Sequence, residues 1–157
     1  MKPSGARHEM RAPDLLHAAG LSGEAMCDVS FAALLIDGNE DAIPARPGAY
    51  LIVTMADKRV VGIGSTGSGQ KKTGTLAERM GTFVAAALGF PVKHSSGRRF
   101  WMTRDAHGLH LRDLAVICLL VDDPRGMECR LFDAYEDATG HLPMLCKARP
   151  RLSGGAR

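Results

Sequence analysis

The chain has 157 residues, of which 45% are hydrophobic and 24% are charged. These values are typical of one globular domain, and they exclude a wholly disordered chain, a collagen-like chain and a small disulfide scaffold. Its four cysteines form no Cys-x-x-Cys pair, so the sequence favours a reduced compartment over a disulfide framework. His107 and His110 lack further ligands at zinc-site spacing, and no structural zinc is predicted.

The net charge of +3 is distributed unevenly along the chain. Residues 1–47 hold four Lys or Arg against seven Asp or Glu, whereas residues 48–110 hold nine against three. Residues 111–157 hold seven of each sign. A basic middle segment on a nearly neutral protein makes a polyanion the first partner to consider.

Neither a secretory signal nor a membrane span is predicted. Residues 1–11 are polar and no apolar region follows them. The best apolar run, Leu114 to Val121, has the length of a strand rather than that of a membrane helix. We therefore expect a cytoplasmic protein.

The first 46 residues predict an N-terminal helical extension. Pro13 and Asp14 begin a short helix that Gly20 ends, and a second apolar run covers residues 30–36. Pro44 and Pro47 mark a boundary. The predicted organisation is an N-terminal extension (1–46), a folded domain (47–152) and a flexible tail (153–157).

A β-hairpin is the clearest pattern after this boundary. Residues 49–54 are apolar and rich in β-branched side chains, residues 56–58 form a polar turn, and residues 59–64 return as a second strand. The Gly/Ser/Lys-rich stretch 65–74 is expected to be a loop.

Two helices and a third strand complete the predicted domain. Thr75 and Glu78 form a capping box for a helix that ends near Gly89. Residues 91–112 are basic and are expected to be irregular. The continuous apolar run 114–121 predicts a strand buried on both faces, and Asp123 with Pro124 begins a last helix. This order indicates an α+β fold, with a small sheet covered by helices.

The segment from Gly64 to Thr73 is rich in Gly, Ser, Thr and Lys, the residue types of a phosphate-binding P-loop. That motif needs Lys directly after its last Gly, whereas Gln70 intervenes between Gly69 and Lys71. A nucleotide-binding module built on this loop is the weakest functional hypothesis. A basic loop before a helix N-terminus could also hold a backbone phosphate.

An ordered set of motifs surrounds this loop. Gly48-Ala49-Tyr50 opens the first strand of the hairpin, Gly62-Ile63-Gly64 closes the second, and Arg79, Glu128 and Pro143-Met144-Leu145 follow. This succession resembles the GIY-YIG nuclease family over about two-thirds of the chain. The resemblance implies a three-stranded antiparallel sheet flanked by helices, and hydrolysis of a DNA phosphodiester bond with one divalent metal, Mg²⁺ or Mn²⁺.

The resemblance also implies roles for individual residues. Glu128 matches the metal-binding glutamate, Arg79 the arginine that holds the scissile phosphate, and Tyr50 the tyrosine of the first tripeptide. His94 is a candidate base. Gly64 matches the glycine whose backbone approaches the site. A carboxylate for Mg²⁺, a guanidinium for phosphate charge and a polarised hydroxyl are the groups that this chemistry needs.

The basic residues around these motifs are the predicted DNA-binding set. With Gly64, this set is Lys71, Lys72, Lys93, Arg98 and Arg99. Gly62 stands where the family has a tyrosine, and Cys146 stands where it has an asparagine. These two departures motivate the alternative hypothesis of a DNA-binding relative that has lost catalysis.

Each candidate also has an ordinary structural interpretation. Tyr50 alone is compatible with a strand aromatic, and Arg79 with a solvated charge beside an apolar stripe. A negative charge in the first turn of a helix interacts favourably with the helix dipole, so Glu128 could stabilise the helix without binding a metal. His94 and Cys146 are compatible with structural or solvent-facing positions.

Overall fold

A computed structural model of the protein describes residues 9–21, 26–30, 42–66 and 74–150. One antiparallel sheet lies between helices, which confirms the predicted α+β class. The strands are β1 (Met26–Ser30), β2 (Ala49–Thr54), β3 (Val60–Ser65) and β4 (Leu114–Leu119). The helices are α1 (Ala12–Ala18), α2 (Leu76–Ala87), α3 (Ser95–Met102), α4 (Arg104–His107) and α5 (Pro124–Thr139), and a 3₁₀ helix covers Leu111–Asp113.

The sheet has the order β1-β4-β2-β3, and all neighbouring strands are antiparallel. The three predicted strands form its β4-β2-β3 part. The sequence did not predict β1, which adds a fourth strand by pairing Met26 with Leu119 and Ser30 with Ala115. This five-residue strand is short and Asp28 interrupts it, so its apolar pattern is weak. Beyond Ser30, the predicted apolar run lies outside the described residues.

The sheet separates two apolar layers because side chains alternate along each strand. Leu51 and Ile117 face the layer that contains α1 and α5. Ile52 and Val116 face the opposite layer, which contains α2 and α3. Every residue of β4 is buried, as its continuous apolar pattern predicts, and every residue of β2 is buried as well.

The described part of the N-terminal extension packs onto this sheet. Leu15 of α1 is fully buried in the same layer as α5. The backbone N–H of Ala12 donates to the carbonyl of Lys58 in the hairpin turn at 2.8 Å. The buried side of α1 is therefore part of the core beside the hairpin.

The expectation of irregular structure over residues 91–112 was wrong for α3 and α4. His94 caps α3, since its Nδ1 accepts from the backbone N–H of Gly97 at 3.2 Å. A Cβ on Gly97 would lie 2.6 Å from the Phe83 carbonyl oxygen, so glycine allows α3 to approach α2 closely. Tertiary packing thus stabilises a helix whose own sequence contains weak helix formers.

The edge strand β3 is covered by the segment Pro143–Cys146. The backbone N–H of Leu145 donates to the Val61 carbonyl at 2.8 Å, and the Cys146 thiol lies 3.7 Å from the Ile63 carbonyl oxygen. This cover protects an edge that would otherwise expose unpaired backbone groups. Among the described residues, no helix has both the length and the hydropathy that crossing a bilayer requires.

Candidate functional site

The four predicted catalytic residues converge at the end of the edge strand β3. Tyr50 lies near the start of β2, Arg79 in the first turn of α2, His94 at the N-cap of α3, and Glu128 early in α5. Because β3 is the last strand of the sheet, groups from its two faces can approach each other around its end. The charge of Arg79 affects the pKa of Tyr50, His94 and Glu128, which places all four in one electrostatic environment.

Tyr50 lies across Gly64 of the neighbouring strand, with which it is paired in the sheet. A Cβ on Gly64 would lie 2.2 Å from the Tyr50 hydroxyl oxygen and 2.3 Å from its Cζ. Any larger residue at position 64 would therefore displace the ring. Burial raises the pKa of Tyr50 to about 12, although Arg79 opposes this rise through its charge and a hydrogen bond.

His94 is buried and contacts the Tyr50 hydroxyl, with 3.3 Å between His94 Nε2 and the oxygen. Its Nδ1 accepts a hydrogen bond from the Gly97 backbone, so the proton of the neutral ring belongs on Nε2. His94 Nε2 therefore donates to the Tyr50 oxygen. Burial, assisted by the Arg79 charge, lowers the pKa of His94 to about 3. With both nitrogens engaged, His94 is arranged to position Tyr50.

Arg79 carries the positive charge at the centre of this cluster. Its Nε is buried and has no hydrogen-bond partner among the described residues. A buried donor without a partner is costly, by about 1–3 kcal/mol, unless a ligand supplies an acceptor. An anionic oxygen at this position would satisfy the donor and the charge together.

Glu128 is the acidic residue of the site, and its charge acts to raise the pKa of Tyr50 and of Cys146. It is 9% exposed, and its Oε1 accepts from the Ser65 hydroxyl at 2.7 Å. Arg125 lies one turn earlier on α5, with 3.6 Å between its guanidinium and Oε1. Burial raises the pKa of Glu128, whereas Ser65, Arg125 and Arg79 lower it.

The predicted DNA-binding residues have different surroundings. Lys93 and Arg98 are exposed, and neither forms an ion pair with another described residue. Arg99 instead donates from Nε to the Met144 carbonyl at 3.0 Å, and so anchors the segment over β3. Lys71 and Lys72 lie outside the described residues, as does most of the glycine-rich loop.

Sequence analysis missed two residues of the site, Ser65 and Arg125. Ser65 directly follows Gly64, and Arg125 precedes Glu128 by three residues, which is one helical turn. Proximity to predicted site residues along the chain could have identified both. The contact between Ser65 and Glu128 could not be found this way, because it depends on how α5 packs against β3.

The resemblance implies a divalent metal, and the side chains of the site limit which metal they could bind. Within the described ranges, no group of three or more His, Cys, Asp or Glu side chains could hold a metal ion. One carboxylate, Glu128, with a neighbouring hydroxyl is too few ligands for zinc. It fits Mg²⁺, which keeps several waters and binds through one or two carboxylates and the substrate phosphate.

Comparisons of this chain with protein-family models, with curated proteins and with solved structures find no match.

Replacing Gly64 with Ala is expected to destabilise the protein by about 1–3 kcal/mol, because the new methyl group overlaps the buried Tyr50 ring. Urea denaturation measures this change. Gly81→Ala is the matched control, since Gly81 is exposed on α2 with nothing within 4 Å of its Cβ position. That variant should be up to about 1 kcal/mol more stable than the wild type. Equal stability of the two variants would contradict the packing described.

The lowered pKa of His94 predicts that the free energy of unfolding decreases in acid. Its pKa is about 3 in the folded protein against 6.5 in the unfolded chain, so protons bind the unfolded chain first as the pH falls below 6.5. Between pH 7 and pH 5 the wild type should lose about 2 kcal/mol of unfolding free energy that His94→Asn does not lose. Asparagine keeps a capping side chain. Parallel pH dependence of the two proteins in urea denaturation would refute a neutral, buried His94.

Proposed function

We propose that this protein is a metal-dependent DNA endonuclease that hydrolyses phosphodiester bonds at the site formed by Tyr50, Arg79, His94 and Glu128. One observation carries the proposal, namely that four residues from separate elements converge. His94 Nε2 lies 3.3 Å from the Tyr50 oxygen, and the Arg79 charge acts on Tyr50, His94 and Glu128. The motif order that resembles the GIY-YIG family gives this convergence a chemical interpretation.

Arg79 binds the scissile phosphate in this proposal. Its planar guanidinium matches the geometry of a phosphate group, and its buried Nε has no acceptor among the described residues. A phosphate oxygen supplies that acceptor. Because negative charge on the phosphate oxygens increases as the bond is attacked, Arg79 stabilises the transition state more strongly than the bound substrate.

Tyr50 orients the groups that react. Its oxygen accepts a hydrogen bond from His94 Nε2, so its own proton remains available for a phosphate oxygen or for water. A pKa of about 12 keeps the phenol protonated at neutral pH, and Tyr50 is thus a donor of hydrogen bonds. His94 holds the ring in place and is a positioning residue.

Glu128 would hold Mg²⁺ or Mn²⁺ through its carboxylate, beside the Ser65 hydroxyl. When bound, such an ion would polarise a water molecule and neutralise charge on the phosphate. Ser65 keeps Oε1 of Glu128 fixed by its hydrogen bond, and Arg125 balances part of the negative charge. The exposed Lys93 and Arg98 extend the positive surface along the DNA backbone.

The test is incubation of the purified full chain with supercoiled plasmid in Mg²⁺, in Mn²⁺ and in EDTA. We expect open-circular product with either metal and none in EDTA. Intact plasmid in both metals would rule out the endonuclease proposal.

A second candidate function is DNA binding without cleavage, and Gly62 favours it. A Cβ at this position would lie 3.3 Å from Ile52 Cδ1, so Ile52 already fills space beside the strand. Position 62 thus carries no side chain that could activate water, whereas the family has a tyrosine at this position. Binding of plasmid that weakens with salt, with no nicks in either metal, would establish this function instead.

A further inference from the structure

Four large apolar side chains are exposed together on the surface formed by the ends of α2 and α3. Phe90 and Met102 are 62% and 66% exposed, and Leu88 and Trp101 are also exposed. A Cβ on Gly89 would lie 2.8 Å from the Trp101 ring, which joins the two helix ends into one surface. We call Leu88, Phe90, Trp101 and Met102 the apolar patch. Met55 is the other exposed large apolar side chain among the described residues.

Helices α2 and α3 carry Arg79 and His94 at their N-terminal ends. The apolar patch lies at the C-terminal ends of the same two helices. The rings of Phe83 and His94 are 5.3 Å apart, Gly97 lies against Phe83 and Ala86 of α2, and Trp101 lies against Gly89 just after the end of α2. Both helices therefore run from the site towards the patch. At 1.5 Å per residue, about 10 Å separate His94 from Trp101 along α3, a span of a few nucleotides of a DNA strand.

The segment that forms the apolar patch is predominantly basic, and Asp105, directly after Arg104, is its acidic neighbour. No Asp or Glu occurs from Arg79 to Arg104, whereas this stretch contains five Lys or Arg residues. The Arg104 guanidinium lies 3.8 Å above the centroid of the Trp101 ring, with its NH1 donating to the Trp101 carbonyl. A flat aromatic and guanidinium surface within positive charge fits a polyanion that carries aromatic rings.

We propose that the apolar patch stacks unpaired bases of the DNA strand that enters the site, so that the preferred substrate has a single-stranded segment beside a duplex. Bases in a duplex expose only their edges, whereas unpaired bases can stack on Phe90 and on the outer face of Arg104. This inference rests on the proposed function, because it assumes that DNA occupies the site.

The test measures binding by fluorescence anisotropy, with the full chain in EDTA so that no cleavage occurs. The probes are a blunt DNA duplex and the same duplex with a single-stranded tail on one strand or the other. The wild type should bind a tailed probe more tightly than the blunt one. Phe90→Ala should weaken binding of the tailed probe about five-fold or more and leave the blunt duplex unchanged. Met55 is an exposed apolar residue that follows the end of β2 away from Tyr50. The control variant Met55→Ala should bind both the tailed and the blunt probes as the wild type does.

Three results would overturn the inference. The first is equal binding of blunt and tailed probes by the wild type, and the second is an equal loss for both probes in Phe90→Ala. The third is a change in oligomeric state caused by Phe90→Ala in analytical ultracentrifugation, which would assign the apolar patch to self-association. If plasmid is nicked and any of these three results is also found, the proposed function stands and only this inference fails. If the protein binds none of the DNA probes and leaves plasmid intact in both metals, both proposals fail.

Discussion

Glu128→Gln is expected to lower the rate of plasmid nicking by about a thousand-fold. The substitution removes the one carboxylate of the site while keeping an oxygen that can accept from Ser65. Metal stabilisation of transition-state charge is worth several kcal/mol, which corresponds to a loss of this size. Nicking rates with protein in excess over plasmid measure the change.

The same substitution should not harm folding. Burial raises the pKa of Glu128, so ionisation of this carboxyl group costs the folded protein more free energy than it costs the unfolded chain. A neutral side chain at this position should therefore leave the melting temperature equal or higher. Asp137→Asn is the matched control, because Asp137 is exposed on the same helix. A Glu128→Gln variant that nicks as fast as the Asp137→Asn variant would remove Glu128 from the mechanism.

Arg79→Lys is expected to lower the nicking rate by about 10²–10³-fold, the usual cost of one lost donor to transition-state charge. Lysine keeps the positive charge but lacks the planar guanidinium and its Nε. Binding of DNA in EDTA should change little, since charge dominates that interaction. Removal of the unpartnered buried Nε should leave stability unchanged or slightly increased.

Arg112→Lys provides the control for Arg79. Arg112 is exposed and precedes β4, whose first residues pair with the end of β2 that lies away from Tyr50. This variant should nick at the wild-type rate. Full activity in Arg79→Lys would show that Arg79 contributes only charge, and a loss that matches a loss of DNA binding would assign it to affinity.

Local patterns were sufficient for most of the fold. The hairpin β2-β3, the capped helix α2 and the buried strand β4 follow from alternation, capping residues and continuous hydrophobicity. Helix α3 was missed because its stability depends on contact with α2 through Gly97. Strand β1 was missed because five residues with a central Asp28 carry too little pattern.

The site was predictable as a set of residues but not as an arrangement. The motif order selected Tyr50, Arg79 and Glu128, and a histidine after Arg79 selected His94. The sequence could not show that His94 Nδ1 caps α3 and that its Nε2 is left to face Tyr50, since both contacts require the packed helix. It also could not show that Glu128 accepts a hydrogen bond from Ser65 of the edge strand.

The most direct test of a single shared site is the nicking rate of the double variant Arg79→Lys with Glu128→Gln. Residues that act as one catalytic unit are strongly non-additive. The double variant should therefore nick about as fast as the slower single variant, and its residual activity should remain measurable with protein in excess. Losses that multiply, so that the double variant falls to the product of the two single reductions, would show that Arg79 and Glu128 act independently and would contradict the proposed site.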